Sequence, residues 1–174
     1  MVKVLKILFY VFYDRQKGFY IDAGANDPVT FSTTKSFYER GWRGINIEPL
    51  PDKFELLRKS RAEDINLQMG VGKKPGNATL LIDGYNGCKS SLIYHKDMLN
   101  PRKINIKIGT MANLCKKFVP FGTQIDFLKI DVEGLEKDVL LGIDFVNYRP
   151  KVFCIESLNS TDNSLMVYKE WNIY

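Results

Sequence analysis

Four short apolar runs in this 174-residue chain each end in an acid. Asp22 follows Phe19-Tyr20-Ile21, and Glu48 follows Gly44-Ile45-Asn46-Ile47. Asp131, with Glu133 beside it, follows Phe127-Leu128-Lys129-Ile130, and Glu156 follows Val152-Phe153-Cys154-Ile155. A carboxylate can accept hydrogen bonds from hydroxyls, hold a cation, or take a proton as a general base. One such acid is as readily a turn or cap residue, so the recurrence is the signal. Other chemistries are disfavoured. His95 is the sole histidine and reads as a loop residue, which removes a histidine-rich metal site. Cys88, Cys115 and Cys154 are far apart and lack CxxC spacing, which suggests neither a zinc site nor a disulfide framework.

These acids can act together only if their runs lie side by side. An apolar run followed by a polar, glycine-bearing loop such as Gly24-Ala25-Asn26-Asp27-Pro28 reads as a strand buried on both faces. Strands are predicted over Phe19–Ala23, Arg43–Ile47, Asp64–Gly70, Ile125–Asp131 and Lys151–Glu156. Less regular strands, Thr79–Ile82 and Lys103–Ile108, enclose a polar loop over Asp83–Ser91. Helices are predicted from Ser32 and Thr33, which can cap one, through Gly41; around Phe54, Leu56 and Leu57; over Thr110–Phe118; and over Gly134–Leu141, with Leu135, Val139 and Leu140 inward. Strands alternating with helices imply an α/β fold: a doubly wound, Rossmann-like, mainly parallel sheet with helices on both faces. Ligands bind such sheets at the carboxyl ends of the strands, where all four acids fall.

The chain is read as a single domain over 1–174. Residues 1–18 form an amphipathic N-terminal helix with Val4, Leu5, Leu8, Val11 and Phe12 inward, 19–158 a core, and 159–174 a truncated C-terminal helix. Aromatic residues at 13% argue for a packed core over disorder. The net charge of +5 comes from lysine spread along the chain, so it reads as surface rather than a nucleic-acid footprint. The apolar stretch Ile7–Tyr13 has no small-residue cleavage site and falls short of the ~20 residues that span a bilayer. No membrane span or export is expected, and the setting is read as reducing and cytoplasmic.

A nicotinamide dinucleotide does not fit. Gly24 lacks the later glycines of G-x-G-x-x-G, and Asp22 and Asp27 would face the pyrophosphate. A ligand with a ribose and no phosphate fits better. Glu48 lies 22 residues beyond Asn26, close to the roughly 20-residue offset of a ribose-binding acid. Asp22 could face an ammonium group, and Gly24 lets the backbone come close. S-adenosylmethionine has both features, and its sulfonium is tolerated by acidic walls.

The segments Phe19-Tyr20-Ile21-Asp22-Ala23-Gly24-Ala25-Asn26-Asp27-Pro28, Gly41-Trp42-Arg43-Gly44-Ile45-Asn46-Ile47-Glu48-Pro49 and Asp126-Phe127-Leu128-Lys129-Ile130-Asp131-Val132-Glu133-Gly134 resemble the FkbM family of S-adenosylmethionine-dependent methyltransferases. Asn86–Ser91 and Arg149–Glu156 are similar to weaker family blocks, so the resemblance runs from about residue 18 to 158 in family order. It implies the class I methyltransferase fold, with strand order 3-2-1-4-5-7-6, and methylation of hydroxyls on sugars, glycans or glycosylated metabolites. By position, Asp22, Ala23, Gly24, Ala25 and Asn26 would lie at the methionine end of the cofactor, Glu48 and Pro49 at the ribose, and Met69, Gly70 and Val71 against the adenine.

O-methylation needs a base, or a metal that acidifies the hydroxyl, and in-line positioning. Asp131 is the candidate base or positioning group, with Glu133 beside it and Glu156 further out. The competing reading makes Asp131 and Glu133 caps of the following helix. A Mg²⁺ ion between Asp131 and Glu156 is chemically open and unsupported. Trp42 and Trp171 read as packing residues, while Ser90 and Ser91 either lie over the pocket or form a hairpin tip.

The chain stops at Tyr174, before the family's last two strands, so a C-terminally shortened fold is expected. Its fifth strand would offer an edge on which a second copy could pair. The partner is then a small-molecule or glycan acceptor. Two alternatives stand beside the O-methyltransferase: a catalytically idle cofactor-binding scaffold, and a nucleic-acid methyltransferase. The latter is disfavoured because Asp131-Val132-Glu133-Gly134 stands where base-amine methylases carry Asn/Asp-Pro-Pro-aromatic.

Overall fold

The computed structural model describes residues 2–83, 89–92, 98 and 100–156. In chain order the elements are α1 (Val2–Val11), β1 (Phe19–Ala23), α2 (Lys35–Glu39), β2 (Arg43–Ile47), α3 (Pro51–Ser60), β3 (Ile65–Leu67), β4 (Gly70–Val71), β5 (Gly76–Asp83), β6 (Lys89–Ser91), β7 (Arg102–Gly109), α4 (Met111–Phe118), β8 (Phe127–Ile130), α5 (Glu136–Leu141) and β9 (Val152–Ile155). Five strands form a parallel sheet in the order β3-β2-β1-β8-β9. This is the predicted α/β architecture, and it reproduces the first five positions of the class I order.

Side-chain alternation along the strands builds the two faces. Ile21 and Ala23 of β1, Ile45 and Ile47 of β2, and Leu128 and Ile130 of β8 pack with Met111 and Leu114 of α4 and Val139 and Leu140 of α5. The intervening Tyr20 and Phe127 pack on the opposite face with Leu8, Phe12, Phe37 and Trp42. Trp42 is fully buried there, as a packing residue. Val11, read as inward, is 47% exposed, because Leu8 and Phe12 take the inner stripe of α1.

A second sheet, β4-β7-β5-β6, pairs β5 antiparallel with both β6 and β7. It corrects two boundaries. The predicted strand Asp64–Gly70 divides: β3 stays with β2, and β4 pairs with β7 in the second sheet. The chain must pass close to β7 there, since a Cβ on Gly70 would lie 2.7 Å from Ile108 Cδ1. The polar stretch Asp83–Ser91 is also not all loop, because Lys89–Ser91 pairs with Leu81–Asp83 as β6.

Two helices begin later than predicted. α2 starts at Lys35, with the Ser32 hydroxyl accepting its backbone N–H at 3.2 Å. α5 starts at Glu136, and neither Asp131 nor Glu133 caps it. The predicted C-terminal helix, His95 and Trp171 lie outside the described residues. No helix among the described residues is long and apolar enough to cross a membrane.

Candidate active site

A cavity of ≈ 280 Å³ opens where β1, β2 and β8 end. Gly24, Ala25 and Asn26 line it from the loop after β1, and Glu48 and Pro49 from the loop after β2. Met69, Gly70 and Val71 form an apolar wall together with Leu80 and Ile106 of the second sheet. Lys129, Asp131 and Glu133 supply charge from the end of β8, and Phe31 lies at the rim, 78% exposed. Ser90 also lines the cavity, whereas the Ser91 hydroxyl donates to the Glu133 carbonyl at 2.9 Å.

Glu48 is buried, with Oε2 accepting the Asn26 N–H and Oε1 the Leu50 N–H, each at 2.8 Å. Burial pushes its carboxyl up to about 7, against the pull of these two N–H bonds and of the Lys129 charge. An ionised carboxylate oxygen can accept a second hydrogen bond, so Glu48 has capacity for further donors. The loop that offers the Asn26 amide depends on Gly24 (φ +79), whose Cβ would fall 1.8 Å from the Asp131 carbonyl oxygen. Gly24 thus lines the cavity with its backbone, while the side on which a Cβ would stand is taken by the loop after β8.

Asp22 and Ala23 are not among the residues that line the cavity. Ala23 points into the α4–α5 core, and alternation turns Asp22 to the other face, 1% exposed. There Asp22 stands opposite Lys129 in the β1–β8 register, its Oδ1 3.1 Å from the Lys129 ammonium. The Thr34 hydroxyl donates to Asp22 Oδ2 at 2.9 Å. Lys129 also donates to the Gly24 carbonyl at 2.8 Å and lies 3.3 Å from Asp131 Oδ2. One ammonium thus ties the loops after β1 and β8. Sequence reasoning missed this residue, though a lysine inside an apolar parallel strand is a legible sign of a paired buried charge.

Asp131, Glu133 and Glu156 present carboxylate oxygens within 4.8 Å of one another. For Asp131, burial raises the carboxyl, but Lys129 and a hydrogen bond from Glu156 outweigh it and hold it low. Burial raises Glu156, and the adjoining Asp131 adds to the effect. Glu133 is pushed up to about 7 by burial, then by Asp131 and Glu136. Its backbone is left-handed, φ +55, a conformation in which non-glycine residues are strained.

An open parallel sheet with this strand order and a cavity at its carboxyl ends, closed by a buried acid after the second strand, defines a class I methyltransferase-like domain. The chain belongs to the FkbM methyltransferase family: residues 22–171 match the Methyltransferase FkbM domain. It is also similar to Methyltransferase sdnD of Sordaria araneosa, at 26% identity over 157 residues, covering 72% of this chain and 60% of that protein. The chain therefore spans about 60% of the length of that curated relative. No solved structure matches it.

Proposed function

We propose that this domain uses S-adenosylmethionine to methylate a hydroxyl group of a saccharide, glycan or glycosylated metabolite in the cytoplasm. The observation that carries the reading is that one cavity is lined by the buried Glu48, each of whose oxygens accepts one backbone N–H, and by the acids Asp131 and Glu133. Glu48 suits the ribose hydroxyls, and the Met69, Val71, Leu80 and Ile106 wall suits an adenine. When bound, S-adenosylmethionine supplies an electrophilic methyl group on a sulfonium centre. The chain supplies the base and the alignment. Glu133, held near neutrality, is suited to take the proton of the acceptor hydroxyl, because a base works best with its pKa near the operating pH. Asp131, kept ionised by Lys129, orients the acceptor and favours positive charge nearby.

Calorimetric titration with S-adenosylmethionine, followed by transfer of labelled methyl groups to a saccharide panel, tests this. Binding to the wild type and loss of at least about 100-fold in transfer for Asp131→Asn or Glu133→Gln are expected. Absence of binding to folded protein overturns the cofactor assignment. Full transfer by both variants overturns the assigned roles.

A further inference from the structure

Glu136 opens α5, is 5% exposed, and does not line the cavity. Its Oε1 alone accepts two backbone hydrogen bonds, from Val132 N–H at 3.0 Å and from Gly134 N–H at 3.1 Å. The residue between those two amides is Glu133. Gathering both flanking amides onto one oxygen bends the chain around Glu133, whose φ of +55 an L-residue with a long side chain seldom adopts unaided. The direction of a Cα–Cβ bond follows from the backbone, so this bend also decides where the Glu133 carboxyl goes.

We infer that Glu136 is a positioning residue, which holds the Asp131–Gly134 loop in the strained conformation that presents Glu133 to the cavity. The inference rests on the reading above, in which Glu133 takes the acceptor proton. The Ser91 hydroxyl on the Glu133 carbonyl is a second, weaker tether from the other sheet. Because both amides need only an acceptor at one oxygen, a glutamine at this position can do the same work without the charge. A leucine cannot.

The test combines thermal melts with transfer assays on the full chain. Glu136→Leu should lower Tm by about 3–6 °C, and by less than half as much in a Glu133→Gly background, where glycine takes the left-handed conformation without strain. Should Glu136→Leu alone fail to fold, recovery of folding in the double variant is the same result. Methyl transfer to the saccharide panel should fall at least tenfold in kcat for Glu136→Leu, with S-adenosylmethionine affinity within twofold of wild type. Glu136→Gln should restore transfer to within threefold. Equal Tm losses in both backgrounds, failure of both to fold, or a Gln variant as impaired as the Leu variant would overturn the inference. A wild type that does not bind S-adenosylmethionine defeats the functional reading alone, since the melts still decide the loop contact.

Discussion

Glu48→Gln separates binding from stability. A buried acid whose pKa rises from 4.5 to about 7 on folding disfavours the native state progressively as pH climbs through that interval. At pH 8 the contribution is roughly 3 kcal/mol. Glutamine removes this cost, but it offers one acceptor oxygen where Glu48 uses two, so either the Asn26 or the Leu50 amide loses its partner at about 1–3 kcal/mol. The two effects nearly cancel, and the variant should melt close to wild type at pH 8. Binding should not be spared. Losing one charged hydrogen bond to the ligand is worth about 1.5–3 kcal/mol, or roughly 10- to 150-fold in Kd. In the wild type the ligand requires the ionised form, so affinity should weaken about 30-fold between pH 8 and pH 5.5. Calorimetry with S-adenosylmethionine at pH 5.5, 6.5 and 8 reads both effects. Glu133 titrates in the same window, so the part of the slope that vanishes in Glu48→Gln is the diagnostic quantity. Identical slopes in the two proteins, or a loss below threefold at pH 8, would refute the reasoning.

Three further perturbations address the scaffold. Lys129→Met leaves the buried Asp22 without its cation and should cost about 3–5 kcal/mol in denaturant melts. Adding Asp22→Asn should recover part of that loss, and strict additivity would show that the pair does not matter. Gly24→Ala should destabilise by at least about 2 kcal/mol and weaken cofactor binding, since its methyl group must displace the Asp131 carbonyl; an unperturbed melt would contradict the loop contact. Phe31→Gly should raise stability by up to about 1 kcal/mol, because Phe31 is 78% exposed at φ +58 and loses strain without losing core packing. The loop around it stays anchored by Arg61, which donates to the Pro28 carbonyl at 2.6 Å. A drop in Tm would mean that the Phe31 ring packs more than its exposure indicates.

Much of the fold was legible because buried parallel strands are short, apolar and followed by turn residues. The runs ending at Ala23, Ile47, Ile130 and Ile155 lie where their composition placed them. Boundaries failed where a local signal was shared by two sheets. Asp64–Gly70 alternates polar and apolar residues without a break, yet β3 and β4 belong to different sheets, a division made only by the distant β7. The site was legible in outline, because Glu48, Asp131 and Glu133 follow strands whose ends converge. The pairing of Asp22 with Lys129 was not: it depends on which strand lies beside β1 and in what register.

Local pattern therefore decides which residues reach the carboxyl edge of the sheet, since alternation and turn chemistry act over a few residues. Partnership among them is decided only when the strands come into register. The Asp22–Lys129 pair spans 107 positions of chain and exists because β1 and β8 are aligned at those residues. Burial completes the difference: it moves Glu48 and Glu133 to about 7, and no sequence pattern carries that information, because desolvation belongs to the packed surroundings and not to the residue.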